Sequence, residues 1–377
     1  MERSALLEHT AVDYQIHGVL TLRLVDAPSA ALDTLQREVG PLRLTASQPP
    51  DLIIRFVDQH PPAGEIRYLG LDESAYDDAG FYLLDARGRR TKIPFEQLGE
   101  PAEIVCELGV AHVPMVREAL GLRLLAKGIV LLHSAAFSFE GHTVLVAGWQ
   151  KGGKSELLLS FMSAGATFIS DEWTIVQPDT KALAGLGDRL YVWDWHLRQL
   201  PAFRRRLRRR ERAKLWLLGA FGAGYRLVGS PVSDTFPLSL PGRIVKAGAM
   251  SSIGQVQPTP ERLFGRSRTD TGILQTLILA GVAAGPTRVH EIDPLEVAER
   301  MVASQTYERR RLMTAYSGFR YAFPRMQNLL LESAAARDLE LLQRAFADIA
   351  AYELLHEYPV RLSEIQRAVA PLLSPRR

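Results

Sequence analysis

Cysteine is nearly missing: Cys106 stands alone among 377 residues. One thiol excludes an internal disulfide and any cysteine-built metal cluster. Its apolar setting, EIVCEL over residues 103–108, predicts a buried structural thiol. A surplus of one charge is missing too. Lys and Arg number 45 against 42 Asp and Glu, a formal net charge of +3 that by itself argues for no nucleic-acid partner. No apolar run reaches the roughly eighteen residues of a membrane span. The opening MERSALLEHT has early charges of both signs and no apolar core, so a cytoplasmic protein without a secretory signal is expected. Internal repeats and long low-complexity linkers are lacking as well. What remains is an ordinary globular composition, 47% hydrophobic and 23% charged. The chain is long enough for two domains or one large α/β domain with a well-buried core.

One segment departs from that plain background. Residues 148–155 read GWQKGGKS, a full match to G-x-x-x-x-G-K-[ST], which ordinary composition produces in roughly one chain of this length in a hundred. Gly148, Gly152 and Gly153 let the backbone curl until successive amide N–H groups face one concavity, and the helix that follows adds its positive N-terminal end. The result is a cradle for nucleotide phosphates. In it Lys154 reaches the terminal phosphates, and Ser155 offers a hydroxyl to Mg²⁺. The flanks agree: residues 143–147 (TVLVA) predict a short strand, and residues 156–163 (ELLLSFMS) a helix start.

Residues 1–115 read as a separate, smaller α+β module, with strands at 19–25 and 51–57 and a hairpin from 81–84 to 91–94 around a turn at 86–90. No catalytic spacing occurs in it, so a scaffold or docking role is expected. A helical apolar pattern over 111–128 leads into a second unit, residues 116–377. There the order is a strand at 129–132 ending at His133, a hairpin of 137–139 and 143–147 around Glu140 and Gly141, the glycine loop, its helix capped at Gly165, and a strand at 166–170. That last strand delivers Asp171 and Glu172 at its carboxyl end, where open α/β sheets bind ligands. Further on, strands are expected at 249–256, 287–292 and 352–355, and helices at 334–351 and 363–373.

Together, His133, the loop GWQKGGKSE (residues 148–156) and the strand end SDE (residues 170–172) resemble the catalytic domain of the HPr kinase/phosphorylase family. The likeness is close over residues 128–180 and looser over residues 352–369. Two positions depart from the family pattern: Glu172 stands where the family has aspartate, and Ser134 follows the histidine where glycine is usual. The downstream signature associated with the reverse, phosphorylase activity has no convincing copy here. The resemblance therefore points to a divergent HPr-kinase-like serine kinase.

It implies a P-loop α/β catalytic domain of the HPr-kinase and carboxykinase type, ATP and Mg²⁺ as cofactors, and transfer of the γ-phosphate to a hydroxyl, foremost a serine of a peptide or small protein. Lys154 and the loop amides would hold the phosphates. Ser155, Glu156 and Glu172 would serve the metal. Asp171 would be either the base that takes the hydroxyl proton or a metal-binding acid, and His133 would hydrogen-bond Asp171 or the γ-phosphate. Each has a plainer role: His133 a satisfied strand-end histidine, Glu156 a favourable helix-start charge, Asp171 and Glu172 helix-capping acids. A metabolite kinase of carboxykinase-like fold and a non-catalytic nucleotide sensor stay open as alternatives.

Outside this constellation the signals are general. Arg204 to Arg212 (RRRLRRRER) is either a dock for an acidic partner, phosphates or anionic lipid, or a solvated helix face. The apolar residues 215–225 behind it would allow a membrane-surface contact. Trp193 and Trp195, in an expected loop, line a pocket or pack in the core. Arg243 and Lys246 follow a Pro-Gly turn and either meet the transferring phosphate or lie on the surface. A homo-oligomer is a further expectation.

Overall fold

Alternation of apolar and polar residues builds the N-terminal sheet. In Leu52–Val57 the residues Leu52, Ile54 and Phe56 face inward and their neighbours do not, the period-2 pattern of a strand. The computed structural model describes residues 10–40, 43–44, 48–61, 63–70, 73–110, 112–187, 189–215, 255–265, 268–269 and 271–373. Within them a nine-stranded sheet runs in the order Arg43–Leu44, Ala11–Ile16, Leu20–Val25, Leu52–Val57, Ala102–Glu107, Arg90–Lys92, Gly80–Leu84, Ser74–Asp77, Arg67–Leu69. Its centre is parallel, Leu20–Val25 beside Leu52–Val57 beside Ala102–Glu107, and its flanks are antiparallel. The helix Ser29–Val39 makes the crossover and buries Ala31, Leu35 and Val39, spaced four apart on one face. Cys106 lies fully buried in this sheet, and burial pushes its thiol up to about 12, which leaves it unreactive.

This sheet does not end in a surface of its own. Phe81 and Phe95 meet Phe319 of the helix Arg310–Ala322 at ring distances of 6.2 and 5.4 Å. The Asn328 amide donates to the carbonyls of Phe95 and Leu98, both at 2.7 Å. From the helix Val116–Ala126 and the residue after it, Arg123 and Lys127 each donate to Asp51 at 2.8 Å. One continuous apolar cluster accordingly runs from Leu22 and Ile54 through Leu120 to Leu277 and Leu342.

The remainder holds a six-stranded sheet in the order Thr167–Ser170, Ala135–Phe139, His142–Ala147, Thr276–Val282, Ala350–His356, Arg288–Glu291. Three neighbours, His142–Ala147, Thr276–Val282 and Ala350–His356, are parallel. A four-stranded antiparallel sheet begins with Val130–His133 beside Trp173–Val176. The chain is thus a mixed α/β protein with parallel and antiparallel sheets. Among the described residues no helix is long and apolar enough to cross a membrane.

Several sequence expectations need correction. The helix expected over 334–351 is Ala334–Phe346, because Asp348 adopts a left-handed turn (φ 61°) and residues from Ala350 pair into the parallel sheet. Trp193 and Trp195 do not sit in a loop: Trp193 ends the strand Val192–Trp193 and Trp195 lies in the helix Asp194–Gln199. Of the strand expected over 249–256, only Gln255–Val256 falls among the described residues. Arg243, Lys246 and residues 216–225 lie outside them.

Candidate active site

Strand direction explains why the candidate residues meet. His142–Ala147 runs toward the loop and Ala135–Phe139 runs back from it. Thr167–Ser170 is antiparallel to the latter, so its carboxyl end lies on the loop side. His133, residues 148–153 and Asp171–Glu172 therefore gather at the carboxyl ends of the parallel strands, where α/β sheets leave a crevice.

Each end of the loop needs glycine for its own reason. A Cβ on Gly148 (φ 147°) would come within 2.4 Å of the Ala280 carbonyl oxygen on the neighbouring strand. A Cβ on Gly153 (φ 105°) would come within 2.0 Å of His356 Nε2. Squeezed between those two strands, the loop hands over to the helix Lys154–Ser163 with Gly153 as its N-cap. Lys154 is buried, and its Nζ donates to the carbonyls of Gly148 and Trp149 at 3.1 and 3.0 Å. Burial lowers its pKa despite the surrounding acids.

The two acids point different ways. Asp171 Oδ1 accepts the Ser155 hydroxyl at 2.9 Å and Oδ2 accepts the Tyr191 amide at 3.0 Å. Burial, with the neighbouring Glu172 charge, pushes its pKa up to about 7. Glu172 holds a left-handed backbone (φ 77°), a strain of about 1–3 kcal/mol for a non-glycine residue. Its carboxylate lies on His133 instead, Oε2 to Nε2 at 3.3 Å. On the other ring nitrogen, His133 Nδ1 meets Glu308 Oε1 at 3.0 Å. Burial alone would depress the imidazole, but hydrogen bonds to both carboxylates outweigh it and raise the pKa. Burial likewise works against the two carboxylates, and the His133 bonds reverse it and lower both. The site holds the His133 ring clamped between two carboxylates and stacked 5.2 Å from Trp173.

The structure thus brings together Gly148, Gly152, Gly153, Lys154, Ser155, Asp171, Glu172 and His133. It separates two expected partners: His133 bonds Glu172 and Glu308, not Asp171. Glu156 is buried and engaged by His196, whose Nδ1 accepts the Trp193 amide and whose Nε2 must therefore donate to Glu156 Oε1 at 3.1 Å. Burial would raise the Glu156 pKa, and the His196 bond turns the net shift downward. Among the described residues no three His, Cys, Asp or Glu side chains converge as a metal cage. Ser155, Glu156 and Glu172 all line the cavity, with Glu156 engaged by His196, and Mg²⁺ needs only one or two such oxygen ligands beside phosphate oxygens.

Sequence reasoning missed Glu308 and Gln305. Both lie on the helix Pro294–Glu308, where Gln305 accepts the His133 amide at 3.1 Å and donates to the Leu131 carbonyl at 2.6 Å. The signal available was an apolar helical period in Val297, Ala298 and Met301, which places Gln305 and Ser304 on the same buried face. Above the loop a cavity of about 520 Å³ is lined by Lys154, Ser155, His133, Glu172, Tyr191 and Trp193. Asp171 lies one layer behind, reached through Ser155.

Comparison with known proteins adds a distant likeness. No protein-family model matches the chain, and no curated protein does either. Among solved structures it is similar to the Hpr(Ser) kinase/phosphatase from Coxiella burnetii, at 11% identity and a TM-score of 0.25, over 64% of this chain and 95% of that one. This is a distant structural relationship. The site must be read from its own geometry.

Proposed function

We propose that the chain is an ATP- and Mg²⁺-dependent kinase of HPr-kinase-like, P-loop type that transfers the γ-phosphoryl group to a serine hydroxyl of a peptide or small protein. The observation that carries this reading is one juxtaposition. A glycine loop with its buried lysine opens a helix, and the next residue, Ser155, is hydrogen-bonded to an acid of raised pKa in the same crevice.

The loop amides and helix N-terminus bind phosphate oxygens. Lys154 exchanges two carbonyl partners for phosphate oxygens, so its charge is set against the group being transferred. Ser155 and Glu172 would hold Mg²⁺, which supplies charge neutralisation on the phosphates. When the Ser155 hydroxyl turns to that side, Asp171 Oδ1 is released. Asp171 then takes the proton as the acceptor oxygen bonds to phosphorus and the bridging oxygen leaves with ADP. Asp171 suits this role better than Glu172, since a base works best with a pKa near the working pH, and Glu172 is held low by His133. His133, fixed from both sides, keeps Glu172 oriented at the cavity wall.

The test uses γ-labelled ATP, Mg²⁺ and a mixture of serine peptides. Lys154→Ala abolishes tight ATP binding and transfer. Asp171→Asn keeps ATP binding and lowers kcat by about two to four orders of magnitude. Wild-type transfer by Asp171→Asn, with loss in Glu172→Gln, would move the base to Glu172. ATP binding with transfer to no peptide and no metabolite would sink the kinase reading.

A further inference from the structure

Beside the cavity the chain lays out a basic surface that the proposed chemistry does not use. After the helix Pro201–Arg204, residues 205–215 continue over the surface and turn helical from 209. Leu207 and Leu215 are buried in the same apolar cluster as the loop helix and pin this segment down. Arg205, Arg208, Arg209, Arg210 and Arg212 are all exposed and make no ion pair among the described residues. Their neighbours are engaged in structure: Arg204 with Asp194 at 3.4 Å, Arg206 with the Leu263 carbonyl at 3.2 Å, and Glu211 with Arg262 at 2.5 Å. The segment is also tied to the cavity wall. Lys214 Nζ donates to the Gln255 carbonyl at 2.9 Å, and Gln255 pairs with Trp193; both residues line the cavity.

We infer that this surface docks an acidic stretch of the acceptor polypeptide, so that the phosphorylated hydroxyl lies near Asp or Glu residues. The inference rests on the kinase reading for its adjacency to a transfer site. Two observations favour a polypeptide over other anions. The described run exposes no aromatic ring, so it lacks the stacking surface with which proteins hold single-stranded nucleic acid. Among the described residues of the run the leucines, Leu207 and Leu215, are turned inward, so residues 205–215 present no large apolar side chain for insertion into a lipid surface. What it offers is a cluster of exposed guanidinium forks, which match carboxylates in bidentate geometry.

The experiment uses the full chain and a variant carrying Arg205→Ala, Arg208→Ala, Arg209→Ala and Arg210→Ala, which leaves the structurally engaged arginines alone. A second variant has lysine at the same four positions. Binding is read by fluorescence anisotropy with peptides whose serine is replaced by alanine, flanked by acidic, neutral or basic residues. A poly-uridine oligonucleotide and phosphatidylserine vesicles complete the set. The acidic peptide is expected to bind about tenfold or more tightly than the neutral one, with a steep salt dependence. That preference should vanish in the alanine variant and return only in part in the lysine variant, which restores the charge without the bidentate fork, with ATP binding unchanged in both. Equal binding of acidic and neutral peptides would overturn the inference, as would a preference untouched by the alanine variant, or capture of the oligonucleotide or vesicles without the acidic peptide. Transfer assays separate the two readings. Acidic-peptide binding with transfer to no peptide and no metabolite leaves the dock standing and removes the kinase; equal transfer to neutral and acidic serine peptides does the reverse.

Discussion

Asp171 is a residue at which function and stability pull apart. Its folded pKa stands near 7, against an ordinary 3.8, chiefly because burial penalises the charge. Between those values the native state binds more protons than the unfolded one, so stability falls as pH rises from about 4 to 7. Asp171→Asn removes that slope. The variant is expected to melt higher than wild type at pH 8 and about equally at pH 4, read by thermal unfolding at the two pH values, while transfer is lost. In the wild type, kcat should rise with pH through about 7. A flat profile would show that the Asp171 proton plays no part. The loop glycines allow a second test at this scale. Gly148→Ala meets a backbone carbonyl that no substitution can remove, whereas Gly153→Ala meets the His356 side chain. Adding His356→Ala should therefore recover part of the roughly 1–3 kcal/mol lost by Gly153→Ala and none of that lost by Gly148→Ala, measured by denaturant unfolding. The remainder at Gly153 is the cost of its positive φ.

At the level of elements, what the sequence made legible follows the range of the forces involved. The loop, the hairpin through Glu140 and Gly141, and the strand leading to Asp171 rest on local cues: glycine torsions, a two-residue turn, short apolar runs. The role of Glu308 does not. Its bond to His133 spans 175 residues, and nothing near either residue announces the other. The same holds for Ala280, whose carbonyl shapes the loop from a strand not foreseen in the sequence. Residues 347–351 (ADIAA) misled for another reason: mostly apolar, they fit a helix or a strand, and the pairing of Ala350 and Ala351 with Thr276–Val282 decides it. The long-range clamp is testable. Gln305→Ala strips partners from the Leu131 carbonyl and the His133 amide. It should cost about 1–3 kcal/mol in denaturant unfolding and lower kcat while leaving ATP affinity alone. Unchanged kcat would confine Gln305 to a structural role.

Across the whole molecule, the N-terminal sheet and the candidate site share one apolar core, with Phe319 and Asn328 reaching across to Phe81, Phe95 and Leu98. Separately produced fragments 1–115 and 116–377 should therefore each expose an apolar face. They are expected to aggregate alone and to recover a cooperative melt on mixing; two independent, reversible melts would show that the faces need no partner. The same connectivity sets an order of events during synthesis. The glycine loop leaves the ribosome long before the strand Ala350–His356 that flanks Thr276–Val282, and His133 precedes Glu308 by 175 residues. At about 5–20 residues per second, a nascent chain carries its glycine loop for tens of seconds without the walls that shape it. The proposed kinase activity would stay silent until the strand Ala350–His356 is made, and a chaperone would have its opportunity in that interval.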